Sequence, residues 1–366
     1  MPGLIAHEWI APHGGSENVA EAMGRAFPDA DVVALWNDAP NRFAGHDVSE
    51  TWLARSPLRR SKAAALPFMS PTWSRIDTSQ YDFVLASSHV FAHHVGGNRG
   101  ARKFAYVHTP ARTIWAPEQD SRGANAFVRA LAPAFRALDR RFVRPDVTYA
   151  ANSRYIRDRI RSVWGVDAAV VYPPVDVAAA RAARTPLDDR ESAVLAALPD
   201  RFVLGASRFV PYKRLDLVIE AGAAAGIPVV IAGAGPLAED LARRAAEARV
   251  PVSIVEAPSD ALLRTLYRRA SAFVFPAVED FGIMPVEAMA AGTPAVVYRE
   301  GGASESVELV EGGAVVDSLT PAELASGIVR ALEVDMRAVP DAVEASFGEH
   351  TFAAQLTGWM TEERSA

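Results

Sequence analysis

The sequence predicts an α/β protein made of two doubly wound parallel-sheet units in tandem, and three observations lead there. A chain of 366 residues, 50% of them hydrophobic, exceeds the roughly 100–200 residues that one core comfortably serves. Short β-branched or apolar runs alternate with Ala-, Arg- and Leu-rich amphipathic stretches, as successive βαβ units require. A Pro-, Asp- and Arg-rich break that opens at Pro173-Pro174-Val175-Asp176 and reaches Asp200 separates one such series from the next.

In the first series the predicted strands are Gly3–Ala6, Asp31–Leu35, Phe83–Ala86, Lys103–Val107, Val147–Ala150 and Ala169–Tyr172, with helices at Ser16–Phe27, Ala124–Phe142 and Ser153–Trp164. In the second they are Phe202–Ala206, Pro228–Ala232, Val252–Val255, Ala272–Phe275, Ala295–Val297 and Gly313–Val316. Helices are expected to begin near Tyr212, Leu237, Asp260, Pro285, Ala303 and Pro321. Residues 1–175 therefore form an N-terminal domain and 176–346 a second. The tail 347–366 carries a helix whose Phe352, Leu356, Trp359 and Met360 share one face and pack back on the first domain. The stretch Asn41–Thr78, rich in Pro, Arg, Ser and Trp, has weak periodicity and reads as long loops and short helices that bind something.

Composition excludes several classes. No run approaches the ~20 apolar residues of a membrane span, and His7, Glu8, His13 and Glu17 lie where a signal peptide is apolar, so a cytoplasmic protein is expected. With no cysteine there are no disulfides, thiolate nucleophiles or Cys-ligated metals. The net charge of −6 is uneven: residues 1–175 hold 21 Lys and Arg against 16 Asp and Glu, the remainder 17 against 28. The basic half suits an anionic acceptor or membrane surface, with Ala54–Lys62 as the candidate contact, or is simply a set of solvated Arg-rich faces. Nucleic acid is not expected as a partner.

Ligands of parallel α/β sheets bind beyond the carboxyl ends of strands, where helix N-termini present free amides. Gly14-Gly15 follows the first strand and allows close backbone approach, although a serine-capped turn explains it equally well. Arg208 and Lys213 follow the first strand of the second domain, two cations where the dipole of a following helix already favours an anion. The strongest signal runs from Glu279 to Glu287: two carboxylates flank Phe281, Gly282 and Ile283, whose amides open a helix, and each ionised carboxylate can accept several hydroxyl donors. His108, at a strand end before Thr109-Pro110, is either an ordinary hydrogen-bonded histidine or a site residue. His89, His93 and His94 have spacings that suggest zinc, but with no further ligand in evidence they read as loop or helix-surface residues, and no metal site is expected.

Glu279 to Glu287 resembles the E-x7-E motif of retaining GT-B glycosyltransferases of the family 4, group 1 type, and the stretches Tyr212–Asp216 and Phe281–Gly292 resemble their mannosyltransferases. Gly14-Gly15, Tyr106–Pro110, Arg208 with Lys213, Gly233–Pro236 and Gly301–Glu305 extend the resemblance in order along the chain. It implies a GT-B fold, two Rossmann-like domains facing across a cleft, and retaining transfer of a hexose from a nucleoside diphosphate sugar, GDP-mannose or a UDP-hexose, without metal or cofactor. Arg208 and Lys213 would bind the leaving diphosphate, Glu279 the donor sugar and Glu287 the ribose. His108 would lie near the reacting carbon, and Gly14, Gly15, Phe281, Gly282 and Ile283 would line the donor. A sugar-nucleotide epimerase or phosphorylase of the same architecture, or a non-catalytic nucleotide-sugar-binding subunit, are the alternatives.

Overall fold

Thirteen parallel strands build two sheets in the computed structural model, which describes residues 2–96, 101–116, 126–182 and 186–361. The first two residues of the helix expected at Ala124–Phe142 lie outside the described residues. The chain divides into a first unit, Met1–Pro174 with Phe352–Ala366, and a second, Val175–Thr351.

In the first unit, β1 (Gly3–His7), β2 (Asp31–Ala34), β3 (Val48–Glu50), β4 (Phe83–Ser88), β5 (Arg102–Val107), β6 (Thr148–Ala151) and β7 (Ala169–Val170) lie in the order β3-β2-β1-β4-β5-β6-β7. Alternate residues face opposite sides, and both sides are covered, which is why these strands are apolar throughout. Ile5, Val32 and Leu85 pack with Val19 and Met23 of the helix Gly15–Ala26. Leu4, Val33 and Val84 pack with Leu66, Met69 and Trp73 of the helix Lys62–Ser74. The C-terminal helix Glu349–Thr361 adds Phe352, Leu356, Trp359 and Met360 to the first of these faces. The Trp359 and Phe352 rings stand edge-on to Phe104 at 5.5 Å and to Tyr106 at 6.0 Å.

In the second unit, β8 (Val203–Ala206), β9 (Val229–Gly233), β10 (Val252–Glu256), β11 (Ala272–Phe275), β12 (Ala295–Tyr298) and β13 (Gly313–Val316) lie in the order β10-β9-β8-β11-β12-β13. One face buries Val203, Ile231, Val274 and Val296 under the helices Leu215–Ala225 and Pro321–Leu332. In both sheets the winding direction reverses beside the first strand, between β1 and β4 and between β8 and β11. Ligands of doubly wound sheets bind at such points.

Three sequence expectations need correction. Asn41–Thr78 holds the edge strand β3, two 3-10 turns and the thirteen-residue helix Lys62–Ser74. Pro67 and Pro71 inside that helix hid it, because proline ordinarily interrupts the intrahelical ladder. The helix expected near Tyr212 starts later: Pro211–Lys213 is a 3-10 turn, Arg214 takes a left-handed conformation at φ 51°, and the helix opens at Leu215. Pro285 is the third residue of the helix Ile283–Ala290 rather than its first.

Candidate functional site

At the switch point of the second sheet, two loops bring an ion pair together. The loop after β8 carries Lys213 and the loop after β11 carries Glu279, and Lys213 Nζ lies 2.6 Å from Glu279 Oε1. Lys213 is buried, with its ammonium 5.3 Å from the ring centres of both Tyr212 and Phe275, so aromatic faces and a carboxylate stabilise the charge that burial disfavours. Arg208 is exposed and donates from Nη2 to the Tyr212 hydroxyl at 2.7 Å. Lys213 thus ends the tight turn before the helix rather than standing in its first turn, and Arg208 lies in the loop just after β8.

Glycine geometry shapes the rest of this site. Gly282, at φ 85°, precedes the helix Ile283–Ala290, whose N-terminus carries no side-chain cap. Gly302 donates its amide to the Glu279 carbonyl at 2.8 Å, and a Cβ at this position would stand 2.2 Å from the Asp280 carbonyl oxygen. Gly301-Gly302 therefore lets one loop backbone lie directly on the one that carries Glu279. Phe281 is buried with its ring 5.6 Å from Phe347, and Ile283 is half-buried. Glu287 accepts a hydrogen bond from the Tyr267 hydroxyl at 3.2 Å, and burial pushes its carboxyl up to about 7.

At the switch point of the first sheet two imidazoles share one hydroxyl. His7 ends β1, Ser87 stands beside it on β4, and His108 follows β5. His108 Nε2 lies 2.8 Å from Ser87 Oγ, and Ser87 Oγ lies 3.0 Å from His7 Nδ1, so the one hydroxyl bridges two imidazoles. Burial lowers the pKa of His7 and takes that of His108 well below the ordinary value, so both stay uncharged at neutral pH. Gly14 precedes the helix Gly15–Ala26, and the buried Glu17 carboxylate packs so closely on it that a Cβ would meet Oε2 at 1.9 Å. Ser16 donates to that carboxylate rather than capping the helix.

His93 and His94 are not surface residues. They belong to a 3-10 turn, are buried, and approach Asp139 Oδ1 with Nε2 at 3.0 and 3.2 Å. His89 is half-buried and lies with its Nδ1 3.1 Å from Glu8 Oε2. Asp139 lies 45 residues beyond His94 in sequence, on the helix Ala126–Phe142, and no local pattern tied it to the histidines. Ser87, Tyr267 and Tyr212 were missed similarly, since hydroxyls that orient other side chains have no sequence signature. In the candidate contact Ala54–Lys62, Arg59 is paired with Asp38 and Lys62 stands 3.9 Å over the Trp9 ring. No helix among the described residues is long and apolar enough to cross a membrane.

Two doubly wound parallel sheets, each with its candidate residues at the strand ends, define the GT-B class, and solved structures agree. Anabaena HepE in complex with UDP aligns over 99% of this chain and 100% of its own at TM-score 0.72 and 18% identity. The lipopolysaccharide-biosynthesis glycosyltransferase WaaG aligns over 99% and 100% at TM-score 0.69 and 12% identity. Residues 13–179 match the family described as Glycosyltransferase Family 4, and residues 188–342 match Glycosyl transferases group 1. The chain belongs to the family 4, group 1 glycosyltransferases.

Among curated relatives, the GDP-mannose-dependent alpha-(1-6)-phosphatidylinositol monomannoside mannosyltransferase of Mycobacterium tuberculosis is 28% identical over 265 residues, 65% of this chain and 67% of its own length. Its Mycolicibacterium smegmatis counterpart is 34% identical over 182 residues, 45% of this chain and 47% of its own. The D-inositol 3-phosphate glycosyltransferase of Acidothermus cellulolyticus is 32% identical over 201 residues, 50% and 42%. The match thus spans about half the length of several of these relatives.

Proposed function

We propose that this protein transfers a hexosyl group from a nucleoside diphosphate sugar to an acceptor, with retention of configuration and without a metal at the transfer site. The observation that carries this reading is the 2.6 Å pair between Lys213 and Glu279 at the β8–β11 switch point, beside a helix with uncapped amides. In the proposal the donor diphosphate takes up Lys213 and Arg208, which neutralise the charge that grows as it leaves, and Glu279 is freed to accept donor sugar hydroxyls. Backbone at Gly14, Gly15, Phe281, Gly282 and Ile283 lines the donor. Glu287 takes the ribose hydroxyls; a carboxyl held near 7 suits this, because hydroxyl donors offset the burial that raises it.

His108 is neutral and tethered through its Nε2, so it serves as a hydrogen-bonding group near the reacting carbon rather than as a cation. No side chain is assigned as nucleophile, and the leaving phosphate itself takes the acceptor proton. GDP-mannose is the first donor to test, because relatives named for its use match this chain; UDP-glucose is the second, because HepE has been solved with it bound. The acceptor is proposed to be anionic, met by the basic first unit.

The test is incubation with GDP-mannose, UDP-glucose and UDP-N-acetylglucosamine, following slow release of the nucleoside diphosphate. Release supports the transferase, and binding without release supports a non-catalytic subunit. A glycosyl adduct recovered on Glu279 overturns the direct displacement.

A further inference from the structure

In the first unit, at the turn after β4, three ligand atoms converge while the other polar atoms of their side chains are held elsewhere. His94 Nδ1 lies 2.8 Å from Ser70 Oγ and His93 Nδ1 2.9 Å from Ser88 Oγ. Asp139 Oδ2 accepts from both Trp115 Nε1 and Trp164 Nε1 at 2.7 Å. His93 Nε2, His94 Nε2 and Asp139 Oδ1 face one another within 4.8 Å, and His94 Nε2 is hydrogen-bonded to Asp139 Oδ1 at 3.2 Å, an atom pair that an ion would separate. His93 Nε2 is buried and, although 3.0 Å from Asp139 Oδ1, has no hydrogen bond of acceptable geometry.

We propose that His93 Nε2, His94 Nε2 and Asp139 Oδ1 hold a divalent transition-metal ion of the zinc class, with a solvent molecule as fourth ligand. Ligands about 2.0–2.1 Å from a tetrahedral zinc stand about 3.3 Å from each other. The observed 3.0 and 3.2 Å separations are close to such an edge. Hydroxyls on the remote ring nitrogens and indoles on the remote carboxylate oxygen form the outer shell that fixes ligand orientation at metal centres.

A buried carboxylate needs a counter-charge, and a divalent ion can supply it. Asp139 and Glu8 are both 0% exposed, and Ser88 Oγ, which holds His93, is 3.5 Å from Glu8 Oε1. Among the described residues the ionic partners of both carboxylates are histidines, with no lysine or arginine. Backbone amides of Val90 and Ala92 already meet the Glu8 carboxylate, so the buried charge that the ion would meet directly is that of Asp139. The neighbouring group of His7, Glu8 and His89 is the poorer candidate, because His89 is only half-buried, whereas His93, His94 and Asp139 are all buried. The ion would tie the helix Ala126–Phe142 to the turn after β4, and this inference does not rest on the transferase reading.

The test uses the full chain produced without a histidine tag. Elemental analysis should find one equivalent of zinc, chelation should lower the Tm, and one equivalent of added zinc should restore it. Cobalt(II) in its place should give the visible absorption of a tetrahedral site. His93→Gln should lower metal affinity at least about tenfold, while Arg208→Gln should leave it unchanged. Wild-type protein without stoichiometric metal, with a Tm indifferent to chelator and zinc and a colourless cobalt form, overturns the proposal and leaves a shared proton as the counter-charge. Those arms need no variant, so a misfolded His93→Gln chain does not blunt them.

Discussion

The switch point of the first sheet is lined by buried, uncharged imidazoles and a bridging hydroxyl, whereas the corresponding point of the second carries a lysine–glutamate pair that a ligand can divide. Both sit where doubly wound sheets bind ligands, yet the two are built for different tasks. His7, Ser87 and His108 are locked by their mutual hydrogen bonds and present fixed polarity. Lys213 and Glu279 hold opposite charges 2.6 Å apart, a pair that the proposed donor would separate. One strand order thus carries a locked hydrogen-bonded cluster in one unit and an ion pair in the other.

The strongest way to break this contrast is to remove the pair. Lys213→Ala and Glu279→Ala should each reduce transfer by about 10²–10³-fold or more, the range seen when one preorganised electrostatic group is lost. The double variant should fall well short of the product of the two losses, because the residues touch and act as a unit. Steady-state rates with whichever donor releases its nucleoside diphosphate check both statements, and near-wild-type activity in either single variant removes that residue from the site. A structural perturbation of the first unit should behave oppositely. Trp359→Ala leaves a cavity against Phe104 in a well-packed face and should cost about 3–5 kcal/mol by denaturant unfolding, with donor binding by the surviving folded chain retained.

The two units also differed in how legible they were. In the second, the apolar runs are short, regularly spaced and interrupted by glycine, so the strands and the Glu279–Glu287 loop are legible in the sequence itself. The resemblance to family 4 glycosyltransferases rested on the same loop, and the family match agrees with it. What the sequence concealed there was local: that Lys213 sits on a 3-10 turn, and that it meets Glu279, 66 residues distant. In the first unit the losses were larger. A helix with two internal prolines breaks the rule by which helices are recognised, and β3 is too short to show a period. His93 and His94 looked like solvated histidines because their counter-ion, Asp139, arrives from a separate helix. Buried polar clusters of this kind are defined by tertiary contact, and hydrophobic periodicity carries no record of them.

Ser87→Ala sharpens the comparison from the other side. It strands His108 Nε2 and His7 Nδ1 without touching the second unit, so it should cost about 1–3 kcal/mol in stability. If His108 orients the donor as proposed, kcat should also fall about tenfold with KM little changed. Ser87→Thr keeps the hydroxyl and should recover much of the rate. A Ser87→Ala enzyme that loses stability but keeps full kcat confines the hydroxyl to a structural role.

The smallest effect expected is also the one with the clearest sign. Glu287 has a folded carboxyl raised to about 7 by burial, above its unfolded value, so the unfolded chain ionises first as pH rises. Its contribution to stability is therefore highest below the unfolded value, declines as pH rises toward 7, and is fully lost above that. Glu287→Gln removes the burden of burying this charge while keeping an acceptor for the Tyr267 hydroxyl. The variant should gain on the order of 1–3 kcal/mol at pH 8 and little at pH 4. Burial of neutral His7 and His108 acts with the reverse sign: their folded values are lowered, so stability drops as pH falls through the unfolded histidine value and the unfolded chain takes up protons. Unfolding curves from pH 4 to 8 should then show a Glu287→Gln difference that grows with pH on a common acid-side decline. A difference that is flat across this range, or largest at pH 4, means that Glu287 is ionised in the free protein, and the ribose would then meet a carboxylate already stabilised by other groups.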